Sequence, residues 1–217
     1  MPTYRFYHPD RATAVHYGKL PHKEQQQICY FVTFMTKDAM PRAARERWQK
    51  RRRDWLMMHG FSPDLSREQL LEELSASHIR SFERMFSAAY QKALDGGSGE
   101  CLLARPDLRQ HVIGAIGYHA NQTCHLADGV VMPNHVHLLL QPFVGRTLKS
   151  ILGSIRKYSA GNINTDLGRS GAFWAREPFD HMVRSRRYFE RYRQYIRANP
   201  KRAKLPAHMY SFIGGGS

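Results

Sequence analysis

The stretch Val130-Val131-Met132-Pro133-Asn134-His135-Val136-His137-Leu138-Leu139-Leu140 decides how the rest of the chain is read. Side chains on a strand alternate between faces, so His135 and His137 point the same way, and two imidazoles can share one cation. Met132-Pro133-Asn134 is turn chemistry, because proline fixes φ and asparagine tolerates the left-handed region. The histidines therefore open a strand running to Leu140, near a sheet edge, and the turn pairs it with a strand over 122–132. Two histidines that serve only packing are the plainer alternative. A metallohydrolase of HxHxDH type is disfavoured, since leucines follow where its Asp and His would stand.

The next segment, 147 to about 166, has Leu148, Ile151, Leu152 and Ile155 at helical spacing. Carrying about 100° per residue forward puts Tyr158 and Asn162 in line with Ile151 and Ile155. A helix packed on the sheet through that stripe would bring both to the sheet face, where paired histidines could meet them. A packing tyrosine with a wet tip, followed by an amide near a helix end, reads from the same residues.

His135-Val136-His137 followed by a helix carrying Tyr158 resembles the HUH single-tyrosine transposases, specifically the REP-associated tyrosine transposases of bacteria. Other blocks of that family are matched in order: Leu20-Pro21-His22, Tyr30-Phe31-Val32-Thr33-Phe34, Gly171-Ala172-Phe173-Trp174-Ala175-Arg176-Glu177-Pro178-Phe179-Asp180-His181 with Val183-Arg184, and Tyr195-Ile196-Arg197-Ala198-Asn199-Pro200. Together they span nearly the whole chain, about 20–205. The resemblance implies a metal-dependent enzyme that recognises hairpins of palindromic repeats in single-stranded DNA. It implies Tyr158 as nucleophile, a 5′-phosphotyrosine intermediate, and Mg²⁺ or Mn²⁺ held by His135, His137 and a polar residue one turn after the tyrosine. Asn162 stands there, with Asn164 as the fallback; family members often carry Glu, and a neutral amide holds such ions less tightly. A hairpin-binding protein that has lost cleavage, and a rolling-circle initiator or relaxase, are the alternatives.

Composition agrees with a nucleic-acid partner. In 217 residues there are 33 Lys plus Arg against 18 Asp plus Glu, a formal charge of +15, and hydrophobic residues make up 42%, too many for a disordered basic tail. No apolar run is long enough for a membrane span and no secretory h-region opens the chain, so a cytoplasmic, nucleoid-associated protein is expected. Three cysteines without CxxC spacing fit reduced thiols.

One domain is expected, with an N-terminal arm over 1–27, a helical insertion over 42–95 and a basic C-terminal helix and tail over 185–217. Ile28 to Thr36 is β-branched and aromatic and reads as the first strand. Arg42, Arg45, Lys50, Arg51, Arg52 and Arg53 crowd one helix-prone stretch, and a second helix begins near the Ser66-x-x-Gln69 capping signature. Pro106 opens a helix to about His119; a fourth strand covers 179–184 and a last helix covers 186–198, ending before Pro200. This order gives an α+β, ferredoxin-like antiparallel four-stranded sheet with helices on one face, plus the inserted helical hairpin and the C-terminal helix. Ile213-Gly214-Gly215-Gly216-Ser217 is set aside as linker-like. Candidate DNA contacts are the arginines and lysine of the insertion, Arg156, Lys157, Arg176, Arg184, Arg186 and Arg187, with Trp174 as a base-stacking candidate. The spacing leaves open a monomer or a homodimer.

Overall fold

The computed structural model describes residues 3–16, 22–63, 78, 81, 94, 96–176 and 178–214. Its central sheet is built from β3 (Tyr30–Met35), β4 (Cys124–Val131), β5 (His135–Pro142), β6 (Phe179–Met182) and β7 (Ser211–Gly214), in the order β6-β3-β5-β4-β7 with every neighbouring pair antiparallel. The first four strands in that order form the split βαβ arrangement expected from the sequence. The fifth, β7, takes in Ile213 and Gly214 of the linker-like tail: Ser211 to Gly214 pair with Val131 to Asp128 and close the β4 edge. A separate antiparallel ladder joins β1 (Ala14–His16) to β2 (His22–Glu24).

Four helices complete the described chain: α1 (Arg42–Met58), α2 (Pro106–His119), α3 (Leu148–Asp166) and α4 (Arg186–Arg202). Pro106 occupies the first turn of α2, where its missing N–H costs nothing. The Thr147 hydroxyl caps α3 by accepting from the Ser150 amide at 3.1 Å, and Ser185 caps α4 by accepting from Tyr188 at 3.4 Å. α4 runs past the expected stop and contains Pro200. The proline removes one amide in a last turn where the ladder is already ending, and the Ala203 amide still donates to Asn199 at 3.0 Å. The second helix expected in the insertion falls outside the described residues apart from His78, Ser81 and Leu94. No described helix is long and apolar enough to cross a membrane.

Both faces of the sheet are covered, and β5 is buried along its whole length. Val136, Leu138 and Leu140 face one way with Tyr30, Val32 and Phe34 of β3, and there α2 and α3 pack through Leu108, Val112, Ile116, Ile151, Leu152 and Ile155. Leu139 faces the other way with Phe31 and Val130, and Phe189 and Ile196 of α4 close over them. Each such buried side chain contributes roughly 1.5–3 kcal/mol, enough to fix α4 on its face. The three consecutive leucines thus serve two cores rather than one. The N-terminal arm is tied to the α4 side: the Arg5 carbonyl accepts from Cys29 at 2.8 Å, the Tyr7 amide donates to Val183 at 2.9 Å, and Tyr4 leans on Phe189 with ring centroids 4.7 Å apart.

Candidate active site

The strand register builds the site before any helix is added. Across the α4 face, Thr33 of β3 sits opposite His137, and Met35 opposite His135. The two imidazoles stand edge to face with centroids 4.7 Å apart, His135 being 1% exposed and His137 fully buried. Each ring is held by its Nδ1. For His135 the partner is the Asn134 side-chain oxygen at 2.7 Å, and for His137 the Thr33 hydroxyl at 2.7 Å. The Asn134 oxygen can only accept, so His135 Nδ1 carries the proton and Nε2 keeps a lone pair. Asn134 is fixed in turn, its amide donating to the Ser98 carbonyl at 2.8 Å.

Burial holds both rings neutral. The His135 imidazole is pushed down to about 3, and His137 falls well below the usual range, through desolvation first and then the nearby charges of His135 and Arg202. A neutral imidazole is the form that ligates a metal. Among the described residues His135 Nε2 is buried with no hydrogen-bond partner, which is costly for a polar atom and apt for a cation.

α4 supplies the other half. Asn199, buried, lies with its amide nitrogen 3.5 Å from His137 Nε2, and that amide donates to the Tyr195 hydroxyl at 3.0 Å. The Tyr195 ring stands edge-on to His137 at 5.2 Å and to Phe31 at 5.8 Å. Phe31 is itself stacked between His137 at 5.5 Å and Tyr192 at 4.4 Å. Two ion pairs anchor the helix, Arg193 Nε to Asp128 at 2.5 Å and Arg197 Nε to Asp128 at 3.0 Å. The β4 ladder changes register between Leu126 and Asp128, and the Asp128 carboxylate there is nearly buried between the two arginines.

Tyr158 and Asn162 do not join the histidines. α3 covers the opposite face, its buried stripe running Leu148, Ile151, Leu152, Ile155, Ser159, Ile163, so Ser159 takes the inward place and Tyr158 is 59% exposed. Tyr158 lies about 90° around the helix from the centre of that stripe. The Asn162 amide donates to the Tyr158 carbonyl at 3.0 Å within α3, and the Asn164 amide to the Gly171 carbonyl at 2.9 Å. Trp174 is buried rather than presented to a base: it meets Phe34 edge-on at 4.8 Å, and its indole N–H donates to the Ser159 hydroxyl at 3.1 Å.

Among the described residues no three His, Cys, Asp or Glu side chains are grouped to hold a metal, because the third polar group beside the pair is an amide. His135, His137 and Asn199 fit a divalent ion by donor chemistry, two imidazole nitrogens with a side-chain amide beside them. The signal for this was present in the sequence: Tyr195 and Asn199 repeat the one-turn spacing of Tyr158 and Asn162.

Of the basic candidates, Arg45, Arg51 and Arg53 on α1 are exposed, Arg52 is half-buried with its guanidinium pKa lowered by desolvation, and Arg42 and Lys50 pair with Glu46 at 2.7 Å and Asp54 at 3.2 Å. Lys157, Arg176, Arg184, Arg186 and Arg187 are exposed, and Arg186 pairs with Glu190 at 2.7 Å. Arg156 turns inward and donates to the carbonyls of Ala175 and Arg176, which makes it a brace for that loop.

A family model described as transposase IS200 like matches residues 107–199, a span that begins in α2 and ends on Asn199. Among solved structures the chain is similar to a REP-associated tyrosine transposase bound to a REP hairpin, at 13% identity over 93% of this chain and 73% of that one, with a TM-score of 0.41. A protein of Deinococcus radiodurans R1 with a provisional transposase name is similar at 12% identity over 81% of this chain and 93% of that one, with a TM-score of 0.33. No curated protein matches the sequence.

Proposed function

We propose that the chain is a transposase that cleaves and rejoins single-stranded DNA through Tyr195, a reading supported by the match of residues 107–199 to a family model described as transposase IS200 like. The observation that carries this reading is the Asn199 amide, which lies 3.5 Å from His137 Nε2 and donates to the Tyr195 hydroxyl at 3.0 Å. His135, His137 and Asn199 would hold Mg²⁺ or Mn²⁺, and an ion there supplies Lewis-acid polarisation of the scissile phosphate.

The remaining steps belong to the chain's own groups. A phenol with an ordinary pKa near 10 is a weak nucleophile at neutral pH, so orientation matters. The Asn199 amide holds the Tyr195 hydroxyl at 3.0 Å, and the Tyr195 ring packs beside His137 on the sheet face. The Tyr195 Oη–P bond forms, the P–O3′ bond breaks, the phenolic proton passes to water and the departing 3′ oxygen takes one from water. The energy of the broken bond is kept in the phosphotyrosine, so a second 3′-hydroxyl can reverse the step without ATP.

The substrate is single-stranded DNA beside a hairpin-forming palindrome, a reading supported by the ordered resemblance blocks, the +15 charge and the exposed arginines of α1. Arg176, Arg184 and Arg187 add phosphate contacts. The test uses labelled hairpin oligonucleotides with only a few nucleotides 5′ of the cleavage point, so that the leaving strand diffuses away. With Mn²⁺ the chain is expected to form a covalent adduct on a denaturing gel, absent in Tyr195→Phe. Hairpin binding with no adduct under any divalent ion would turn the reading to a DNA-gripping protein without catalysis.

A further inference from the structure

Tyr195, Asn199 and Arg202 stand at i, i+4 and i+7 on α4, a spacing that keeps all three within about 60° of arc. The first two are the site residues just described. The third carries its guanidinium carbon 5.2 Å from the Tyr195 ring centroid, over the ring face, and its charge reaches His137. Arg202 is the last residue of α4 and is exposed, so its head group lies at the mouth of the site rather than inside it.

We propose that Arg202 is a catalytic residue that grips the scissile phosphate from the solvent side, opposite the His135–His137 pair. The inference rests on the Tyr195 reading above. Three points of chemistry carry it. The donor set on the sheet, two neutral imidazoles and one amide, brings no charge of its own, while in-line attack on a phosphodiester gathers negative charge on the non-bridging oxygens. A guanidinium is the side chain whose planar fork matches those oxygens. Cation–π contact with the tyrosine ring keeps that fork beside the nucleophile before substrate arrives. The arginine makes and breaks no covalent bond; it offsets charge on phosphorus oxygens as the Tyr195 Oη–P bond forms and the P–O3′ bond breaks.

The test is single-turnover adduct formation with the hairpin oligonucleotide and Mn²⁺, comparing the unmodified chain with Arg202→Ala, Arg202→Lys and Tyr195→Phe. Arg202→Ala is expected to slow the adduct rate on the order of 100-fold with the oligonucleotide Kd changed only a few-fold. Arg202→Lys restores part of the rate, and added guanidinium ion restores part of it to Arg202→Ala but none to Tyr195→Phe. An Arg202→Ala rate within about twofold of the unmodified chain, or a loss matched by an equal loss of binding and untouched by guanidinium, overturns the proposal. An adduct that persists in Tyr195→Phe sinks the nucleophile reading instead, so the two failures are told apart.

Discussion

Two helices carry the same residue pair at the same spacing, Tyr158 with Asn162 on α3 and Tyr195 with Asn199 on α4, on opposite faces of one sheet. Around α3 the sheet offers only Val136, Leu138, Leu140 and their apolar neighbours, so the helix is held by burial and its tyrosine is left in solvent. Around α4 the sheet offers His135, His137 and Thr33, and the same pair becomes part of a buried polar network. A tyrosine and an amide one turn apart acquire a chemical role from what the facing strand presents. The α3 face is a packing surface; the α4 face gives up some packing to hold polar groups.

The largest effect that tests this contrast is on Tyr195. Removing its hydroxyl as Tyr195→Phe is expected to lower adduct formation by roughly four orders of magnitude, read on a denaturing gel. On the opposite face, Ile155→Ala is expected to cost about 2–5 kcal/mol of stability in a urea titration, with adduct formation per folded molecule unchanged. Loss of catalysis in folded Ile155→Ala would break the division of labour. Next comes the orientation of the imidazoles. Asn134→Ala removes the acceptor that fixes His135 and is expected to weaken Mn²⁺ binding by about 10–100-fold in calorimetry. Asp128→Ala removes the carboxylate that Arg193 and Arg197 share, leaving Arg193 its Glu190 pair, and is expected to destabilise the fold by about 1–3 kcal/mol, with earlier hydrogen exchange in α4 than in α3. Smallest is Tyr158→Phe, for which stability and adduct rate are both expected to stay as they are. A catalytic loss there would return the nucleophile to α3.

Much of this frame is legible in the residues. The turn at Pro133-Asn134, the strand it opens, the start of α2 at Pro106 and the stripe of α3 follow from local rules, and the paired histidines follow from period two. Helical periodicity tells which residues share a face of α3, but not which face of the sheet α3 covers. That depends on crossover topology, which sets Tyr158 on a helix covering the face away from the histidines. Leu138-Leu139-Leu140 carries the missing information, because a leucine between two inward leucines needs a second covered face and hence a second helix. The tail strand β7 was hidden by its glycines, since Gly214 at φ +76° reads as linker while Ser211 to Ile213 still pair with β4. Pro200 lies two residues from the end of α4, where a missing amide interrupts little, so the helix runs past the stop that proline predicts.

The proposed nucleophile, its neighbouring amide and the proposed phosphate grip all ride on α4, whose docking is set by Phe189 and Ile196 and by the Asp128 ion pairs. Their mutual arrangement is therefore a property of one rigid rod, and only the rod's helical phase relative to the strands is adjustable. A single residue inserted between Phe189 and Tyr195 would rotate the entire set by about 100° at once, carrying Ile196 and Arg197 off their contacts and bringing Gln194 and Ala198 to the places of Tyr195 and Asn199.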